Sequence, residues 1–218
     1  EITTRLVGSE MCIRDSHTVV ELLNADREVV IVDDFSNSKP EVLDAIRQIT
    51  GKDFKFYELN YLDRKKLDKV FKENNIEAVM NFAGFKAVGE SVQKPIEYYT
   101  NNISGTLTLL DVMRENNVKK FVFSSSATVY GKPEVIPITE ECKTGGTTNP
   151  YGTSKLFIEQ ILKDVYKSDN TWDIVILRYF NPIGAHESGL IGEEPQGIPN
   201  NFCLLYTSDA ADDLIGVD

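Results

Sequence analysis

Short β-branched runs alternate along this chain with longer stretches of helical period, an alternation that predicts crossover units in a parallel sheet. Strands are expected at residues 28–34 (EVVIVDD), 54–60 (FKFYELN), 78–84 (AVMNFAG), 121–126 (FVFSSS) and 173–181 (DIVILRYFN). Each passes from apolar to polar or small residues at its C-terminal end. Ligands of open parallel sheets bind beyond that end, so these changeovers mark the expected site. Helices are expected at residues 40–49, 63–74, about 95–116 and 151–167. In the last, Leu156, Ile158, Ile161, Leu162 and Val165 give one apolar face toward a sheet. Pro150 suits the first turn of that helix, where the amide it lacks has no intrahelical partner. Residues 131–148, rich in Pro, Glu, Thr and Gly without period, read as an ordered surface excursion before it. The fold class that follows is α/β, a doubly wound parallel sheet, with no internal repeat or low-complexity linker.

At 218 residues the chain can bury a sizeable core, and its 41% apolar and 26% charged residues fit a soluble domain. No apolar run approaches the roughly 18 residues needed to span a bilayer. Residues 1–5 lack a basic segment followed by an apolar one, so a cytoplasmic location is expected. A net charge of −11 disfavours nucleic acid, whose phosphates need clustered Lys and Arg. It leaves a nucleotide open, because backbone amides at a helix N-terminus act at contact range. Cys12, Cys142 and Cys203 are odd in number and lack CxxC spacing, so unpaired thiols are expected. His17 and His186 stand in no metal-binding motif, and no metal is expected.

Tyr151 and Lys155 form a YxxxK pair, which on a helix puts both side chains on one face. A free tyrosine ionises at about 10, and an adjacent ammonium favours the phenolate. Lowering it by about three units requires about 4 kcal/mol of differential stabilisation. Tyr61 and Lys65 share the spacing but follow a strand in YLDRKK, where a solvated helix start is the simpler reading. Tyr151 differs because Ser124, Ser125 and Ser126 end a buried strand nearby in the expected cleft. Ser126 can hydrogen-bond the oxygen that Tyr151 deprotonates, or it can simply cap the strand end. Asp33, ending EVVIVDD, is placed to accept hydrogen bonds from an adenosine ribose, which favours NAD over NADP. Alternatively Asp33 and Asp34 only start a turn with Asn37.

The stretches SHTVVELL (16–23), NFAGFKAVGESVQKP (81–95), YYTNNISGT (98–106), FSSSATVYG (123–131), PYGTSK (150–155), LRYFNPIGAH (177–186) and QGIPNN (196–201) carry a family resemblance. The chain resembles the extended short-chain dehydrogenase/reductases, and within them the bacterial-type UDP-glucose 4-epimerases, nearly unbroken from Ser16 to about Phe202. The resemblance implies a Rossmann-like NAD-binding domain over residues 1–180 and the start of a substrate-binding lobe over 181–218. It implies an isomerase of galactose metabolism that exchanges UDP-glucose and UDP-galactose through a transient 4-keto sugar. Tyr151 matches the tyrosine that takes the proton from the sugar 4-hydroxyl while NAD accepts hydride from C4. Ser126 matches the serine assisting that transfer, and Lys155 matches the lysine that binds nicotinamide ribose and lowers the tyrosine pKa. Asp33, Asn37, Ser38, Phe82, Ala83, Gly84, Lys86 and Asn101 match cofactor contacts, and Asn60 falls where the family commonly has Asp. Tyr179 and Phe180 match residues lining the cofactor side. Asn181 and Asn201 match contacts to the UDP-sugar, and Lys86, Ser126, Tyr151 and Tyr179 also border it. A homodimer through the helices at 95–116 and 151–167 is implied as well. A sugar-nucleotide 4,6-dehydratase needs an acidic pair after the strand-end hydroxyl, where this chain has Ala127 and Thr128.

Both ends depart from the family. The expected GxxGxxG turn, where pyrophosphate approaches the backbone, has its glycine positions filled by Ser9, Cys12 and Asp15 within LVGSEMCIRDS. Side chains there crowd the phosphates, and Asp15 adds like-charge repulsion. Residues 203–218 (CLLYTSDAADDLIGVD) resemble nothing in the family, and both ends look like translated adapter or vector peptide. Loss of the first strand is expected to leave the sheet with an unpaired edge, and misfolding is one outcome. The expectation is a chain that binds NAD weakly or not at all and epimerises nothing measurable. A noncatalytic Rossmann-type binding fragment and an epimerase for a different UDP-sugar remain the alternatives.

Overall fold

The computed structural model describes residues 3–7, 13–36, 38–182 and 184–192. Six parallel strands form one sheet in the order β3-β2-β1-β4-β5-β6. They are β1 (Thr3–Val7), β2 (Glu28–Asp33), β3 (Lys55–Glu58), β4 (Ile76–Asn81), β5 (Lys120–Ser126) and β6 (Asp173–Tyr179). The order reverses between β1 and β4, so the crevice of a doubly wound sheet opens beyond their C-terminal ends.

Loss of the first strand, expected from the sequence, does not occur. Thr3–Val7 runs parallel between β2 and β4, with Leu6 opposite Ile31 and Met80. Five residues rich in β-branched Thr and Val suffice there, because a strand between two formed neighbours needs only extended backbone to complete both ladders.

Period-two alternation along β2 explains why helices cover both sheet faces. Val30 and Val32 join Leu67 and Phe71 of α3 (Arg64–Glu73), Leu109 and Met113 of α6 (Gly105–Glu115), and Ile158 and Leu162 of α7 (Pro150–Ser168). Val29 and Ile31 point the other way, onto Val19, Val20 and Leu23 of α1 (Ile13–Asn24) and Leu43 and Ile46 of α2 (Glu41–Thr50). Burying such side chains stabilises the domain by about 1.5–3 kcal/mol each. At the edge, β6 turns Ile174 and Ile176 inward and leaves Val175 and Leu177 exposed.

The sequence pattern predicts one helix over residues 95–116. The chain instead continues from α5 (Pro95–Tyr99) through a π-helical turn (Thr100–Ser104) into α6, preceded by a short α4 (Val88–Gln93). Residues 131–148 form the expected ordered excursion. Gly131, at φ 60°, closes it, since a Cβ there would lie 2.5 Å from the carbonyls of Gly145 and Gly146.

Candidate active site

Helix α7 begins as its sequence dictates. Asn149 Oδ1 accepts from the Gly152 amide at 2.8 Å, and Pro150 occupies the first turn. That start fixes the register of the buried face, which carries Tyr151, Ser154, Lys155, Ile158, Glu159 and Leu162. Lys155 donates to the Ser124 carbonyl at 2.9 Å. Its Nζ lies 4.9 Å from the Phe123 ring centroid and 5.9 Å from that of Tyr151. A buried ammonium is thus held beside a phenol at the C-terminal end of β5.

The serine run supplies three different contacts. Ser124 Oγ accepts from Arg14, and Ser125 Oγ donates to Glu159. Ser126 Oγ accepts from both the amide and the hydroxyl of Thr128, capping a 3-10 helix over Ala127–Tyr130. Gly152 lets the first turn of α7 approach this cap, because a Cβ there would lie 3.2 Å from Thr128 Oγ1. Tyr151, Lys155 and Ser126 are therefore gathered where β5, the 3-10 helix and α7 meet.

At the other end of the crevice Asp33 is fully buried. Its Oδ1 accepts from the Phe35 amide at 2.8 Å and the Ser38 hydroxyl at 3.1 Å. Burial pushes its carboxyl up to about 7, against the Phe35 and Ser38 hydrogen bonds, which favour the ionised form. Asn60 donates to Asp34 Oδ2 at 2.6 Å and accepts from the Leu62 amide. Asn37 and Asn201 lie outside the described residues.

After β4, Phe82, Ala83 and Gly84 are buried and Lys86 is exposed. The neighbouring Asn101 is also buried, and its carbonyl accepts from the Tyr61 hydroxyl at 2.5 Å. This overturns the solvated reading for Tyr61, while Lys65 is exposed in the first turn of α3 as expected. Tyr61 is buried, burial pushes its phenol upward, and its hydroxyl serves the π-helical turn. Tyr179 is half-buried under the Arg14 guanidinium, 5.2 Å from its centroid, whereas Phe180 and Asn181 are exposed. Arg14, His17, Thr18, Tyr179 and Pro182 line an open cavity of about 400 Å³.

Three polar residues, Asn102 and Glu159 buried and Arg178 partly so, were not singled out from the sequence. Asn102 accepts from the Phe85 amide at 2.8 Å, donates to the Phe85 carbonyl at 3.0 Å, and donates to Ser154 Oγ at 3.0 Å. Arg178 grips Glu159 with two parallel hydrogen bonds, Nε to Oε1 at 2.9 Å and Nη2 to Oε2 at 2.8 Å. Hydrogen bonding to Glu159 raises the Arg178 guanidinium above its ordinary value. The signal was present for this pair, since Glu159 falls on the apolar face of its helix and Arg178 interrupts a β-branched run.

A model of the NAD dependent epimerase/dehydratase family matches residues 15–202. The chain belongs to this family. It is 63% identical over 196 residues to a UDP-glucose 4-epimerase of Pasteurella multocida, an alignment covering 90% of this chain and 58% of that protein. A UDP-glucose 4-epimerase of Homo sapiens is 52% identical over 202 residues, again 58% of its length. The chain thus spans somewhat more than half of the curated relatives it matches. Among solved structures, a UDP-glucose 4-epimerase from Bifidobacterium longum in complex with NAD+ and UDP superposes with TM-score 0.91 at 57% identity, covering 95% of this chain and 62% of that one. One from Stenotrophomonas maltophila, with bound NAD and formylated UDP-arabinopyranose, gives TM-score 0.93 at 40% identity, covering 100% and 64%.

The epimerase/dehydratase family implies NAD, and the residues present suit that dinucleotide at two places and oppose it at a third. Asp33 Oδ2 is buried with no hydrogen-bond partner among the described residues, an acceptor that a ribose hydroxyl would satisfy. Lys155 and Tyr151 stand together at the opposite end. Between them, a pyrophosphate takes free amides of the first helical turn. Here the Ser16 amide instead donates to Asp15 Oδ1 at 3.1 Å, and Asp15 is itself buried. A carboxylate thus occupies one of the four amides at the start of α1.

Proposed function

We propose that this chain is the cofactor-binding and acid–base portion of a UDP-hexose 4-epimerase, with its pyrophosphate seat impaired by Asp15. The observation that carries the reading is Lys155 held between the Ser124 carbonyl and the rings of Phe123 and Tyr151 on the buried face of α7. When bound, NAD supplies reversible oxidation at the sugar carbon. Tyr151 takes the proton from the 4-hydroxyl, and the Lys155 ammonium favours the phenolate that does so. Ser126 donates its hydroxyl to the same oxygen, its acceptor positions being taken by the Thr128 amide and hydroxyl. Asp33 and Ser38 hold the adenosine ribose, while Gly84, Lys86 and Asn101 border the nicotinamide side. Residues 1–180 form the cofactor domain and 181–218 open a substrate lobe, with Asn181 and Asn201 toward UDP.

The dehydratase reading lacks its acid and base, because Thr128 Oγ1 donates to Ser126 where a carboxylate is needed. A second reading, a noncatalytic Rossmann fragment, is favoured by the Asp15 cap alone. UDP-glucose and UDP-galactose are the proposed substrates, within galactose metabolism in the cytoplasm.

A homodimer through the helices at residues 95–116 and 151–167 accompanies the proposal. Ile96 (75% exposed), Leu107 (47%) and Phe157 (51%) are exposed apolar residues on those helices.

The test joins residues 16–202 of this chain to the flanking segments of the Pasteurella multocida epimerase and assays UDP-galactose conversion. Turnover that disappears with Tyr151→Phe supports the reading. A folded, NAD-loaded chimera without turnover contradicts it.

A further inference from the structure

We infer that Glu159 and Arg178 act as a positioning pair for Tyr151 and Lys155, fixing the rotation of α7 against the sheet. The inference rests on the reading of Tyr151 as the proton-transferring residue. Glu159 lies four residues after Lys155 and eight after Tyr151, so the three share one face of α7 at successive turns. Its carboxylate is completely buried, and the Arg178 side chain is 17% exposed.

Two strands converge on that carboxylate, and the 3-10 helix holds Arg178 in turn. Arg178 comes from β6 with a two-pronged grip, Ser125 Oγ from β5 donates at 2.7 Å, and the third Arg178 nitrogen donates to the Tyr130 hydroxyl at 2.8 Å. The Arg178 guanidinium also stacks 4.9 Å from the Tyr130 ring centroid. Tyr130 ends the 3-10 helix that Ser126 begins, so the network frames Ser126 from one side and the Tyr151 helix from the other.

A buried ion pair is a poor way to gain stability alone, since an apolar pair of similar volume often serves as well. The planar fork does what an apolar contact does not: it tolerates one orientation. One residue of α7 rotation moves a side chain through about 100°. Apolar packing through Ile158 and Leu162 resists such rotation only loosely, whereas the fork forbids it.

The experiment reads the tyrosine itself, without cofactor or activity. Tyrosinate ultraviolet absorption is titrated in the chain and in its Tyr151→Phe variant, and the difference isolates Tyr151. The comparison is repeated in Glu159→Gln, Arg178→Lys and the double variant Glu159→Leu/Arg178→Met, with thermal unfolding recorded for each. The double variant supplies an apolar pair if single substitutions prevent folding. Expected is a Tyr151 titration below the ordinary tyrosine value of about 10, displaced upward by about one unit or more in the folded variants. Arg178→Lys, which keeps charge but loses the fork, shifts in the same direction. A folded double variant with an unchanged Tyr151 titration overturns the positioning role and leaves the reading of Tyr151 standing. An ordinary titration in the unsubstituted chain overturns both.

Discussion

Asn102, in the π-helical turn, donates its side-chain amide to Ser154 of α7 at 3.0 Å. Ser154 in turn donates to the Tyr151 carbonyl at 2.7 Å. The same asparagine pairs with both backbone groups of Phe85, so one side chain ties the loop after β4 to the helix that carries Tyr151. Gly84 makes room for it, because a Cβ there would lie 2.9 Å from Asn102 Oδ1.

Asn102→Ala leaves the part-buried Phe85 backbone groups and buried Ser154 without those partners. The expected loss is about 2–3 kcal/mol of folding stability, measured by urea unfolding with an unchanged slope. A loss below about 0.5 kcal/mol means the loop and helix do not depend on this contact.

Asp33 predicts a pH dependence whose sign follows from burial. Its carboxyl, pushed by burial from the ordinary value of 3.8 to about 7, holds its proton more tightly in the folded state. The stability it contributes is fully present below about 3.8 and is lost as pH rises through about 7. Asp33→Asn should therefore stabilise the cofactor-free chain above that pH by on the order of 2–4 kcal/mol, seen as a higher melting temperature. Ribose hydroxyls prefer the ionised carboxylate, so NAD affinity should fall as pH drops below about 7, with proton release on binding. Calorimetry in buffers of different ionisation enthalpy detects that proton. An unchanged proton count across the range removes Asp33 from the ribose.

In the chimera, Tyr151→Phe is expected to lower turnover by about 10²–10⁴ while changing NAD affinity little. Lys155→Met should lower both, because the ammonium serves the ribose as well as the phenol. Equal losses from the two variants in NAD affinity would place Tyr151 in binding alone.

Phe157→Glu puts a charge on the exposed helical surface without touching the buried face of α7. The expected result is a halved mass by light scattering with the melting profile of the remaining domain preserved. A mass unaffected by the substitution removes this surface from the assembly.

Much of the scaffold was legible because β2 is buried almost continuously and β6 alternates between inward and outward positions. EVVIVD could be little else, buried from Val29 through Asp33. Thr3–Val7 was not, since five residues centred on Arg5 make too short a pattern to stand out, and the pairing comes from its neighbours. The π-helical turn escaped notice because one widened turn leaves the run of apolar positions in the predicted helix nearly intact. Tyr61 was misread for a related reason: flanking charges in YLDRKK suggested solvent, yet the phenol packs against Gly105, where a Cβ would lie 2.1 Å from its ring. The Tyr151 and Lys155 juxtaposition followed from helical spacing. Glu159 and Arg178 each left a local trace, a charge on an apolar helix face and another in a β-branched run, but their pairing, like the role of Asn102, joins distant segments.

The most direct test compares NAD affinity of the purified chain with that of Asp15→Gly, by titration calorimetry and by dinucleotide released on denaturation. Removing the carboxylate returns the Ser16 amide to the crevice, so affinity should rise about 10–100-fold from a weak starting value. Stoichiometric NAD retained by the unsubstituted chain, or an affinity indifferent to the substitution, would contradict the account.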